Sequence, residues 1–294
     1  MYSLRTVMQR SRLTCLLFAV LALGTAVSAR GGSLARFATP VGSILVEMYD
    51  ADKPVTVSNF WHYVTSGAYN GMFLHRWESG FVIQGGGFVT LDRHTTNAQA
   101  VAVPSFGNIT NEYQAGRIFS NAHGTLAMAR VGGVTNSANS QWFFNLTNNA
   151  FLDAVDGGFT VFGHVVAGTK ALERFNQTPG TNGLYWLYNY FNAPFNELPS
   201  LAIPTTVQQL LDEDLLYTPI TAETLPQLRI EVRTDGSRLV QWTSISNLVH
   251  HLESSTTLPP AWQDLVTTNG TGGTLQLIQP AADSPARFYR VRLE

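Results

Sequence analysis

The side chains that could do chemistry fall in a few short blocks. MFLHRW and GFVIQGGGF set Arg76 beside His75 and just ahead of Phe81, Val82 and Gln84. GTLAMAR ends on Ala129 and Arg130, SQWFFNL holds Gln141 and Phe143, and FLDAVDGGFTVFGHVV carries Phe151, Leu152 and Phe159. Two cations, two amides and several large apolar rings fit binding chemistry and need no covalent step. No serine stands in a G-x-S-x-G turn that would strain a nucleophile. The histidines, including the adjacent His250 and His251, lack ligand spacing, and neighbours on a strand face opposite ways, so no metal site is expected. Gly85-Gly86-Gly87 has no following lysine and no strand-loop-helix setting, and reads as a turn or bulge, not a phosphate cradle. No cofactor is implied. An arginine next to a histidine on a strand is by itself a solvated surface pair, and His75 reads as structural; the surrounding block is what singles out Arg76.

These residues need a scaffold of short strands. The alternation in SLARFAT and SILVEMY, joined at Pro40 to Gly42, predicts an opening hairpin. Pro54 sits where a helix favours its first residue, and Val57, Phe60, Trp61 and Val64 recur at helical spacing until Gly67. From Tyr69 to Val166 short apolar runs are punctuated by glycine, which predicts a closed antiparallel barrel. A second short helix is expected over Lys170 to Phe175. After an aromatic, Asn- and Pro-rich stretch from Gln177 to about Pro204, LLDEDLLYTPITAET reads as a late strand that closes the barrel, with a boundary near Leu225.

YNGMFLHRWESGFVIQGGGF, GTLAMAR and NSANSQWFFN agree in order and spacing with the cyclophilin family, and the sequence resembles that family over roughly Ser33 to Thr224. The resemblance implies a mainly β fold, a cyclophilin-like barrel capped by two helices, and peptidyl-prolyl cis–trans isomerase activity. It implies that Arg76 reaches toward the prolyl amide. Phe81, Val82, Phe143, Leu152 and Phe159 become the lining of the proline pocket, Gln84 and Gln141 polar positioners, and Ala129 and Arg130 the strand whose backbone meets the peptide. Phe151 stands where many animal members carry tryptophan, as in bacterial members, implying weak cyclosporin binding at most. The implied partners are proline-containing unfolded or flexible polypeptides. Four positions depart from the pattern: Ser79 replaces the proline before Gly80, Trp77-Glu78 replace two aliphatic residues, and Val82 replaces a methionine. They leave open an alternative, a proline-peptide scaffold with little turnover.

The residue types also suit the reaction physically. Amide resonance sets a rotation barrier of about 18–20 kcal/mol, and X–Pro bonds isomerise over tens of seconds or longer. The twisted transition state loses that resonance, so its carbonyl is less charged and its nitrogen can accept a hydrogen bond. A greasy pocket around the pyrrolidine ring and a fixed guanidinium would both favour the twisted form. Five powers of ten in rate require roughly 7 kcal/mol, whereas one charge-assisted hydrogen bond contributes about 1.5–3 kcal/mol. Pocket shape, desolvation and strand contacts must supply the remainder.

With 294 residues, 45% hydrophobic and 13% charged, the chain is long enough for two cores and too apolar for disorder. Arg5, Arg10 and Arg12, the run Leu16 to Leu23 and small residues ending at Ala29 read as a secretory signal over 1–29, the apolar run being too short for a bilayer span. Its loss removes Cys15 and three of 18 basic residues, leaving 15 against 20 acidic ones, a net charge of −5. The mature chain is then cysteine-free, exported to periplasm or medium, without a membrane span, and a poor nucleic-acid binder. Evenly spaced strand candidates over 228–294 resemble a small fibronectin-III-like β-sandwich module, with Trp262 expected as its core plug.

Overall fold

The computed structural model describes residues 32–93, 98–189, 191–203, 212–281 and 287–294; the segment read as a signal lies outside them. Leu34–Thr39 (β1) and Gly42–Met48 (β2) form the expected hairpin. Pro54–Thr65 (α1) follows, burying Val57, Phe60 and Tyr63 at helical spacing. The Glu112 carboxylate accepts from the backbone N–H groups of Val55 and Thr56 at 3.1 and 2.7 Å, occupying donors that a helix start leaves free.

Arg76–Glu78 (β3), Val82–Gly85 (β4), Phe88–Leu91 (β5), Gln99–Ala102 (β6), Thr125–Met128 (β7), Trp142–Asn145 (β8) and Val161–Ala167 (β9) come next. Thr169–Glu173 (α2) runs on into a 3-10 turn at Arg174–Asn176, matching the second helical signal. Tyr185–Tyr188 (β10) pairs with Glu197–Ser200 (β11), a hairpin that the aromatic stretch did not announce. Of the late strand expected after it, among the described residues Ile220–Glu223 (β12) forms a strand, Leu215 and Tyr217 make isolated β-bridges, and Asp212–Asp214 is a 3-10 turn.

The main sheet has eight strands in the order β12-β1-β2-β9-β7-β8-β4-β3. Its ends are tied just outside the outermost strands. Leu74 N–H donates to the Leu216 carbonyl at 3.0 Å and Thr218 N–H to the Met72 carbonyl at 3.1 Å, so the sheet curls to closure as a barrel. Phe37, Val46, Trp77, Ile83, Leu126, Trp142 and Phe144 fill the inside, and α1 (Phe60) and the α2 end (Leu172, Phe175) cap the same core. The triple glycine serves this packing. A Cβ on Gly85 would come within 2.6 Å of the Trp142 ring, and one on Gly86, whose φ is +77°, within 2.3 Å of the Ser140 carbonyl oxygen.

Leu228–Val232 (β13), Arg238–Thr243 (β14), Val249–Ser255 (β15), Gln263–Asn269 (β16), Thr274–Gln279 (β17) and Phe288–Leu293 (β18) complete the chain. They form two three-stranded sheets, β13-β14-β17 and β16-β15-β18, around Val240, Trp242 and Leu252. The expectation for Trp262 is corrected here, because the core tryptophan is Trp242 at 2% exposure. Trp242 lies within β14, two residues from Val240 and so on the same inward face. Trp262 is only half-buried at the start of the edge strand β16, with the Arg290 guanidinium 4.5 Å from its ring. Residues 31–294 gather into one compact unit. Leu34, Leu45 and Ala167 of the barrel share a buried cluster with Ile245 and Leu248 of the tail, and Arg36 donates to the Ser246 carbonyl at 3.2 Å.

Candidate active site

Strand register places the site. Across the sheet Arg76 lies opposite Gln84, Gln84 opposite Phe143, and Phe143 opposite Ala127. Directly opposed residues share a face, so these four form one row across β3, β4, β8 and β7. The adjacent row, Trp77, Ile83, Phe144 and Leu126, points into the barrel and is buried throughout. The period of two therefore sends structural residues inward and the candidate site outward.

The outward row is covered by an apolar cluster of its own. Val82, Ala127, Phe143, Leu152 and Val161 are buried there, with Phe81, Ala129 and Phe159 packed against them. Phe143 meets Phe159 edge to face at 6.0 Å, and Phe81 stacks on Phe151 at 5.7 Å. Phe151 is 58% exposed and forms a rim, not a wall. The two polar positioners touch, Gln84 Nε2 donating to Gln141 Oε1 at 2.7 Å.

Arg76 stands at the edge of this cluster, its guanidinium 5.8 Å from the Phe81 ring centroid. Two carboxylates hold it. Nε donates to Glu197 and Nη2 donates to Glu78 Oε2 at 2.8 Å. Arg130 takes a different part. Its side chain is almost fully buried, stacks 4.2 Å from the Phe159 ring, and donates Nη2 to the Val155 and Asp156 carbonyls at 2.7 and 3.1 Å. It braces a wall of the pocket, which leaves its backbone, beside the Ala129 N–H bonded to the Gln141 carbonyl at 2.9 Å, as the part able to meet a peptide.

His75 is 3% exposed, and burial pushes its pKa down to about 4, against the opposing pull of its Gln141 contact. It is a neutral packing residue under the site at physiological pH, in line with its structural reading.

The loops that carry Phe81, Leu152 and Phe159 are fixed by amides that sequence reading passed over. Asn149 Nδ2 donates to the Phe81 carbonyl at 2.9 Å and to Asn145 Oδ1 at 2.8 Å. Asn145 Nδ2 reaches Asn121 Oδ1 at 3.2 Å, and Asn121 Nδ2 donates to Asp153 Oδ1 at 2.8 Å and to the Phe159 carbonyl at 3.1 Å. All three asparagines are buried, where each unmade bond would be costly. The one available signal was the asparagine density around the blocks. Glu197 gave none, since it sits 121 residues from Arg76 in a stretch without periodicity.

An outward-facing apolar cluster with a tethered guanidinium at its edge suits the binding of an apolar group by non-covalent means. The chain belongs to the cyclophilin family: the family model for cyclophilin type peptidyl-prolyl cis-trans isomerases matches residues 34–187. It is 37% identical over 160 residues to a peptidyl-prolyl cis-trans isomerase of Acinetobacter baylyi, covering 53% of this chain and 79% of that one. It is 39% identical over 147 residues to peptidyl-prolyl cis-trans isomerase A of Dickeya dadantii (49% and 71%) and 36% identical over 155 residues to isomerase B of Escherichia coli (51% and 88%). A crystal structure of a Cryptosporidium parvum cyclophilin superposes with a TM-score of 0.42 at 17% identity, covering 66% of this chain and 98% of that one.

Proposed function

We propose that this chain is an exported peptidyl-prolyl cis–trans isomerase that rotates X–Pro bonds of unfolded or flexible polypeptides, assisting the folding of other exported proteins. The observation that carries the reading is the outward row of Arg76, Gln84 and Phe143, set beside the apolar cluster of Phe81, Val82, Leu152 and Phe159.

A proline ring seated against Phe143 leaves water, and the amide that follows it into an apolar wall loses less on twisting than it would in water. Arg76 offers N–H donors to that amide as its nitrogen becomes pyramidal, and the Arg130 to Ala129 backbone holds the flanking chain so that only one bond rotates. The reaction forms and breaks no covalent bond, so no acid, base or cofactor is required. A proline-peptide scaffold with little turnover is the second reading, supported by Ser79 and Val82 and by the pairing of Arg76 with two carboxylates.

The test is a prolyl-isomerisation assay on a short proline peptide with the chain and with Arg76→Ala. Loss of one charge-assisted hydrogen bond in the transition state should lower kcat/KM by about 10- to 100-fold. An inactive wild type that still binds the peptide favours the scaffold. Export rests on the N-terminal pattern and on the cysteine-free mature chain. A mature protein beginning at Arg30 in the extracytoplasmic fraction is expected, and retention of an intact N-terminus in the cytoplasm would remove that part of the reading. No helix among the described residues is long and apolar enough to cross a membrane. For the tail, two sheets ordered first-second-fifth and fourth-third-sixth support a fibronectin-III-like module.

A further inference from the structure

Arg76 is held before any peptide arrives. Of the five N–H donors of a guanidinium, the one on Nε is taken by Glu197 and one on Nη2 by Glu78. Two donors on Nη1 and one on Nη2 remain. The carboxylates come from separate elements. Glu78 is two residues along β3 from Arg76, on the same face. Glu197 is the first residue of β11 and belongs to the hairpin between α2 and β12. Bonds at two different nitrogens fix both the position and the plane of a flat fork, which a single contact would leave free to rotate.

The ion pairs are partly exposed, with side-chain exposure of 32% for Arg76, 18% for Glu197 and 40% for Glu78. Pairs of that kind contribute little to stability, so a role confined to tying the hairpin to the barrel gains little from them. Pre-orienting the group that meets the reacting amide is a larger effect, because it removes the ordering cost from the transition state.

We propose that Glu197, together with Glu78, is a positioning residue for Arg76: the β10-β11 hairpin sets the orientation of the guanidinium at the rim of the proline pocket and leaves its Nη1 edge for the substrate. The inference rests on the isomerase reading and deepens it. It also accounts for Glu78 standing where the family pattern has an aliphatic residue, since the second carboxylate completes the clamp.

The experiment measures kcat and KM of the full mature chain on a single-proline peptide for wild type, Glu197→Ala, Glu197→Gln, Arg76→Ala and the Arg76→Ala/Glu197→Ala double variant, with thermal melting of each. Glu197→Ala should lower kcat about tenfold, with KM changed less than about twofold. Glu197→Gln, which keeps an oxygen acceptor for Nε, should recover most of that loss. In the Arg76→Ala background, removal of Glu197 should cost nothing further. An active wild type with unchanged kcat in Glu197→Ala, or an equal loss in the presence and absence of Arg76, would overturn the proposal while leaving the isomerase reading in place. A wild type without activity would overturn both.

Discussion

Single residues in this site divide into those that face outward and those that hold them still. Phe143 and Gln84 lie in the outward row, and His75, one position before Arg76, is turned into the protein because neighbours on a strand alternate. That burial has a measurable consequence. The His75 pKa falls from 6.5 to about 4, so the folded state keeps the ring neutral while the unfolded chain takes up a proton near pH 6.5. Its contribution to stability is therefore complete above pH 6.5 and is lost as pH falls toward 4. Between pH 7 and 4.5 wild type should lose about 2–3 kcal/mol more than His75→Gln does, read from denaturant midpoints. Equal losses in the two proteins would show that the ring is not buried neutral. Arg76, Gln84, Phe81 and Phe143 were legible in the sequence because each lies in a compact block whose residues and spacing resemble the cyclophilin family. Glu197 and Asn121 were not, since their roles exist only once strands distant in the chain are brought side by side.

At the level of elements, the β3-β4 hairpin presents Arg76 and the turn Ala150–Asp153 presents Leu152, and the buried asparagines tie the two together. Asn149 is the joint. Replacing it with alanine removes two side-chain bonds and strands Asn145 Oδ1, while the Phe81 carbonyl keeps the Leu146 N–H at 2.9 Å, a cost of about 1–3 kcal/mol. Asn149→Asp should be at least as damaging, because a carboxylate cannot donate to either oxygen. Both variants should also lower kcat/KM, since Phe81 loses one of the bonds that hold its loop; chemical denaturation alongside the isomerisation assay checks this, and an Asn149→Asp protein as stable as wild type would rule the network out. The opening hairpin, α1 and α2 were readable from periodicity and from Pro54. The β10-β11 and β5-β6 hairpins were not, because their four-residue strands lack alternation long enough to register and are set by packing against the barrel. Trp262 was misjudged for a related reason. Turn signals around a tryptophan do not say which sheet will cover it, whereas the alternation of Val240 and Trp242 does.

For the molecule as a whole, the outward row of Arg76, Gln84 and Phe143 and the tail occupy different parts of the barrel. The tail covers Leu34, Leu45 and Ala167, none of which belongs to the pocket. We propose that the sandwich is a separate module, so a chain ending after Leu225 should keep its isomerase activity. Exposure of those apolar residues would cost on the order of 3 kcal/mol and lower the melting midpoint by about 10 °C. Loss of folding on that truncation would mean that barrel and tail form one inseparable core. Everything else depends on whether the site speeds rotation or merely grips proline. The direct measurement is NMR exchange between the cis and trans forms of a single-proline peptide in the presence of substoichiometric mature chain. Exchange accelerated from tens of seconds to well below one second, and slowed again by Arg76→Ala, is the predicted result. Peptide resonances that shift on binding while the exchange rate stays at its uncatalysed value would contradict the account.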